Sequence, residues 1–484
     1  MIRAFLLLLA LCVPSLSYAA WGTGSGACTA QSKSAGTSLA CTVSTQDIEA
    51  GNVAMVWFGG DNTATTDGNS GLVTAVSDSK SNTWKIAQCY TNGNGSAGTG
   101  ATTCMAYSVL TATLVSATDT ITVTHASITA RAMVTKEYTT GVGATVFAHG
   151  SATLPGNLAN DAADPGSLTL SGVMSAEHLF VRATALERAS GGTWTVSTNF
   201  PTSGCNGTTG AAADTNIDVC GEYRIVSSTS QTSDPTGTAV DNASLSLVFT
   251  EATMPTGFVQ ECHNGIGSAG TTITCTFPAY ITAGNLIACY TSDLSTTDTV
   301  TMSDTLSHSW TVQSTYYADA TNTERAVGVY AKNTSAGFNI VTATWSASTS
   351  HRGIACHEIS GMSTTAPADG YVGQSQQNPG TGTDAVTSTA ITTTGTTGYL
   401  FGGTYEPSDN CATNTAGTSW TGVVLSGCQW PYTEARASSA AGSYAATTTQ
   451  ANATADYITI IQAFMPDQAG ASILIQGGMS GGLF

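Results

Sequence analysis

Apolar and polar residues along this chain alternate with a period of two, and that pattern predicts strands. In DTITVTH, Ile121, Val123 and His125 alternate with Thr120, Thr122 and Thr124, as in a strand with one buried face. The segments SLSLVF and DYITIIQAF read the same way. No stretch keeps a 3.6-residue apolar period between a cap and a stop, so helices are not expected. The intervening loops, such as GGDNTATTDGNSG and NGNGSAGTG, are rich in Gly, Asn, Asp and Ser, which is turn chemistry.

The strand pattern repeats. Cys28 and Cys41 recur as Cys262 and Cys275 at one common offset, and EAGNVAMVW, VSDSKSNTW and VTKEYTTG recur as TAGNLIACY, MSDTLSHSW and ACHEISGM. A second segment type also recurs: EHLFVRATALERASGGTW parallels GYLFGGTYEPSDNCATNTAGTSW, setting Trp194 against Trp420. Repetition on this scale predicts repeated domains. The reading is an all-β chain, a tandem array of four antiparallel β-sandwiches, Ig-like or jelly-roll-like, in A-B-A-B order. The A-type copies span 21–143 and 256–362, the B-type copies 144–255 and 363–466, and a Gly-rich tail occupies 467–484.

Composition narrows the setting. Residues 1–20, MIRAFLLLLALCVPSLSYAA, have the charge, apolar run and small residues of a secretory signal peptide cut near Ala19 or Ala20. A secreted or cell-surface location follows, without a transmembrane span. Setting aside Cys12 leaves an even number of cysteines in six sequence-local candidates: Cys28 with Cys41, Cys89 with Cys104, Cys205 with Cys220, Cys262 with Cys275, Cys289 with Cys356, and Cys411 with Cys428. In an exported chain these are expected to be structural disulfides. Aligning the A-type copies sets Cys289 opposite Val56 and Cys356 opposite Thr135, so that pair is missing together from the first copy. The formal charge of −18, from 31 acidic and 13 basic residues, makes nucleic acid a poor partner.

The segments AGNLIACY, MSDTLSHSW, VGVYAKNTSAG and CHEISGM, continued by FGGTYEPSD and AGSYAATTT, resemble a tandem sandwich module of large exported bacterial proteins and phage-related surface proteins. The resemblance covers most of the chain, and its motifs define a fold rather than a reaction. It implies surface display or adhesion and brings no established activity.

Candidate chemistry is sparse. The B-type copies repeat Glu187, Glu222 and Arg224 as Glu406, Glu434 and Arg436. A glycan hydrolase would need two such carboxylates across a cleft. The preferred reading is an exposed Glu–Arg pair two apart on one strand. Arg131 with Glu137, matched by Arg352 with Glu358, reads as a domain-docking salt bridge. The seven histidines are scattered without metal-ligand spacing, and HExxH, GxSxG and phosphate-cradling glycine loops are absent. Trp420, Trp430 and Tyr432 around Cys428 are the candidate glycan contacts, whereas the repeated Trp84 and Trp310 are expected in the fold. No metal or cofactor is expected; calcium at DNTATTD or NDAAD is the weak alternative, because neither loop has EF-hand spacing. The leading expectation is a non-catalytic surface protein for adhesion or recognition of a cell-surface glycan or protein. The alternatives are a filament or virion subunit, self-associating through sheet edges and the tail, and a glycan hydrolase using Glu187, Glu222, Glu406 and Glu434.

Overall fold

The computed structural model describes residues 21–141, 145–173, 176–210, 215–319, 324–376, 383–395, 398–405, 413–424, 431–451 and 457–467. Among them the extended elements are all strands, paired antiparallel, with no α-helix. The signal segment, the tail beyond Asp467, Glu406, Cys411, Cys428 and Trp430 lie outside the described residues. The chain gathers into two compact units, Met1–Met254 with Thr276–Tyr280, and Pro255–Cys275 with Ile281–Phe484. Each unit thus combines one A-type and one B-type segment.

In the first unit the A-type segment forms a six-stranded sheet in the spatial order Gly22–Ser32, Arg131–Thr139, Val53–Asp61, Ala101–Val109, Lys85–Thr91 and Gly68–Asn69. A thinner sheet of Gly36–Thr42, Thr120–Ile128 and Val73–Asp78 covers one face. Its central strand carries the alternation seen in the sequence, with Ile121, Val123 and His125 buried. On Val53–Asp61, Ala54, Val56 and Phe58 meet Leu39, Ile121 and Val123 in that core. Met55 and Trp57 point the other way, into a second core with Leu179, Val181, Leu245 and Phe249 of the B-type sheet. That sheet is built on Val240–Ala252, Glu177–Leu186 and Asp218–Ser227, and its far face, with Phe180 and Val248, packs under Leu154 and Leu170.

The second unit repeats the plan with the strands Phe258–Ile266, Arg352–Ile359, Leu286–Asp293 and Glu324–Ala331, and the B-type strands Tyr457–Phe464, Gly398–Tyr405 and Tyr432–Ser438. Here polar groups join the two segments. His357 shares hydrogen bonds with Tyr399 Oη (3.0 Å) and Thr433 Oγ1 (2.9 Å), and Tyr290 Oη donates to Ile458 O (3.0 Å). Burial holds the His357 imidazole neutral, pushing it down to about 3.

Two expectations change. Tyr457–Phe464 and the Ser244–Leu247 part of Val240–Ala252 are buried on both faces rather than one, because each larger sheet lies between two partners. In the first unit the A-type and B-type segments also share a core, and each compact unit holds one segment of each type.

Candidate functional site

The described B-type carboxylates, Glu187, Glu222 and Glu434, are buried, which the sequence reading did not expect. Glu222 stands opposite Arg182 in the pairing of Asp218–Ser227 with Glu177–Leu186. Its carboxylate accepts from Ser197 N (2.7 Å), Ser197 Oγ (2.6 Å) and Ser233 Oγ (2.5 Å). Arg182 donates in turn to Ser233 O (3.1 Å), Pro165 O (2.9 Å) and Ser244 Oγ (2.8 Å). Both charges are fully buried. Burial draws the guanidinium down to about 10, and Glu222 leads the charges that oppose the fall. The exposed Glu222–Arg224 pair is therefore corrected: Arg224 lies over the Phe200 ring at 6.0 Å, while the glutamate belongs to a serine and arginine network.

Glu187 does not join Glu222. It lies five residues beyond Arg182, the strand partner of Glu222, which is about 16 Å along the sheet. Glycoside hydrolysis calls for two carboxyl groups within about 10 Å of each other, and this backbone offset does not favour the pair. Glu187 is itself buried.

Glu434, the second-unit counterpart of Glu222, faces Gly402 where Arg182 stands in the first unit. A Cβ on Gly402 would sit 2.8 Å from Glu434 Cγ, so the glutamate fills the room a side chain would take. Its oxygens accept from Thr447 N (2.8 Å) and Gly417 N (3.2 Å). Burial pushes this carboxyl up to about 8, against the pull of the two amides. Arg436 does not pair with it and lies over Tyr444 at 5.1 Å. The equivalent glutamate therefore has a buried countercharge in one copy and, among the described residues, none in the other. Arg182 was missed by sequence reasoning, although an arginine inside the apolar run HLFVRATAL signals a buried partner.

The described aromatic candidates, Trp420 and Tyr432, are also in the interior. Trp420 packs with Ile391, Leu400 and Ile461 at 7% exposure, and Tyr432 is 1% exposed. As placed, neither offers a ring face to a sugar, which corrects their expected role as ligand contacts. Trp84 and Trp310 do belong to the framework. Asp78 accepts from Lys80 N and Asn82 N through one oxygen and from Trp84 Nε1 (2.8 Å) through the other. Asp304 repeats this with Leu306 N, His308 N and Trp310 Nε1 (3.0 Å). The repeated SD…W text is a turn tied by one aspartate.

The docking salt bridge is corrected as well. Glu137 accepts from Gly26 N, Glu49 N and Asn52 Nδ2, and Glu358 from Thr282 N, Asn285 Nδ2 and Gln260 Nε2. Arg131 donates to Ser38 O and Thr129 O, and Arg352 to Ser268 O and Thr272 O. These groups satisfy loop backbone inside their own A-type segments.

In the loops considered for calcium, Asp61 accepts from Thr129 N and Ala130 N, Asp67 from Gly93 N, Asp161 from Asn92 Nδ2, and Asp164 from Gly237 N. Among the described residues the convergent set of metal-ligating types is Cys262, Cys275 and Cys356, whose sulfurs lie within 4.8 Å of one another. These sulfurs are already bonded. Disulfides join Cys28–Cys41, Cys89–Cys104, Cys205–Cys220, Cys262–Cys275 and Cys289–Cys356. Also among the described residues, no helix is long and apolar enough to cross a membrane. No family model matches the chain, and no curated protein matches it.

Proposed function

We propose that this chain is an exported, non-catalytic building block of an extracellular surface, filament or particle. The observation that carries the reading is how the repeated carboxylates are used. Glu137, Glu222, Glu358 and Glu434 all accept from backbone amides in the interior, where they hold loops and strands rather than face a substrate. The five disulfides among the described residues suit an oxidising compartment. Export is supported by residues 1–20, whose Arg3, apolar run and small residues near Ala19 have the pattern of a signal peptide.

Two measurements on the purified full chain test this. Sedimentation velocity across a concentration series is expected to show large species that disappear when residues 468–484 are removed. A glycan array is expected to show no saturable binding. Saturable binding lost on Trp430→Ala would replace this reading with glycan recognition. Sugar release abolished by Glu222→Gln in a folded protein would replace it with hydrolysis.

A further inference from the structure

The two A-type segments differ in their disulfides. In the second unit Cys356 is in register with Cys262 on one neighbouring strand and with Cys289 on the other. Three cysteines therefore form a row across Phe258–Ile266, Arg352–Ile359 and Leu286–Asp293. Cys275, on the thinner sheet strand Gly270–Thr276, bonds to Cys262. In the first unit the same row reads Cys28, Thr135 and Val56, and only the Cys28–Cys41 disulfide remains there.

The second-unit row brings two disulfides into reach of each other. The sulfurs of Cys262, Cys275 and Cys356 lie within 4.8 Å of one another, and all four cysteines are at most 2% exposed. While both bonds are closed no thiolate is free to hold a metal. Disulfides rearrange when a thiolate attacks a neighbouring disulfide sulfur. A Cys262–Cys356 bond would join register partners just as Cys289–Cys356 does, so no strand need slip.

We propose that Cys275, Cys262, Cys356 and Cys289 form one thiol–disulfide exchange centre, with Cys356 as its junction and a small dithiol as its reductant. A thiolate of the dithiol attacks Sγ of Cys275, breaking Cys262–Cys275 and leaving Cys262 as the thiolate. Cys262 attacks Sγ of Cys356, and the electron pair of the Cys289–Cys356 bond leaves on Cys289, which takes up a proton. The second sulfur of the dithiol then frees Cys275 as a thiol and departs as a cyclic disulfide. Two disulfides and one dithiol become one disulfide, two protein thiols and one oxidised dithiol. The reducing event at the thin sheet emerges as a thiol on Leu286–Asp293, a strand buried on both faces.

The test uses Cys275→Ser in the full chain, acid-quenched, alkylated and mapped by mass spectrometry without reduction. The expected result is a Cys262–Cys356 linkage with Cys289 alkylated. An intact Cys289–Cys356 bond with Cys262 alkylated overturns the proposal. The reciprocal Cys289→Ser is expected to give the same linkage with Cys275 alkylated, and a retained Cys262–Cys275 bond counts against it equally. Cys41→Ser in the first unit is expected to leave Cys28 alkylated and Cys89–Cys104 intact. Mixed pairing there would make exchange indiscriminate and overturn the assignment. Should Cys275→Ser fail to fold, the native chain titrated with dithiothreitol decides: Cys275 and Cys289 are expected to become alkylated together, and joint alkylation of Cys275 and Cys262 refutes the relay.

Discussion

Replacing Glu434 by glutamine should flatten the pH dependence of the second unit. The folded carboxyl titrates near 8 against an ordinary 4.5, because burial opposes its charge and Gly402 supplies no cation opposite it. The folded state therefore holds this proton more tightly than the unfolded state. The stability it contributes is complete below about pH 4.5 and is lost as pH rises through about 8. Integrating between pH 5 and pH 9 gives a loss of about 4 kcal/mol from this one group. Glutamine has the same shape and no charge, so the loss should vanish. One amide contact should weaken, at a pH-independent cost of about 1 to 3 kcal/mol. The assay is urea unfolding of wild type and Glu434→Gln at pH 5, 7 and 9, and the quantity is the difference between the two proteins. Asp293, pushed up to about 7 by burial and by Asp298, drifts in the same direction in both and cancels. Parallel pH profiles would refute the argument.

Glu222→Gln should destabilise the first unit by about 1 to 3 kcal/mol at pH 7, since it weakens the buried acceptor of Ser197 N, Ser197 Oγ and Ser233 Oγ; chemical denaturation checks it. Trp420→Ala should cost about 3 to 5 kcal/mol by opening the core around Leu400 and Ile461, read as a lowered melting temperature. Asp304→Ala should cost about 1 to 3 kcal/mol by removing the acceptor for Leu306 N, His308 N and Trp310 Nε1, and should red-shift tryptophan emission.

Strand content and the repeat were legible because periodicity and text similarity are local. The sequence alternation in Thr120–Ile128 marks a strand with one face covered, and that is how it lies. DYITIIQAF looked similar, yet its strand is covered twice, and no local signal says what packs on a second face. The same limit explains the carboxylates. Parity places Glu222 and Arg224 on one side of a strand, but only the packed thin strands decide that the first is buried and the second half-buried. Trp420 and Tyr432 were misjudged likewise, since a loop-rich neighbourhood in sequence became interior in space.

The core shared by the two larger sheets of the first unit bears on biogenesis. While the first A-type segment is being made, Met55, Trp57 and Tyr107 have no cover until Leu179, Leu245 and Phe249 follow. For that interval the nascent chain presents a wide greasy surface, which invites aggregation and calls for a chaperone. Cutting the gene at residue 143 would make the interval permanent. The smallest fragment that should be produced in soluble form is thus an A-type segment together with the B-type segment that follows it.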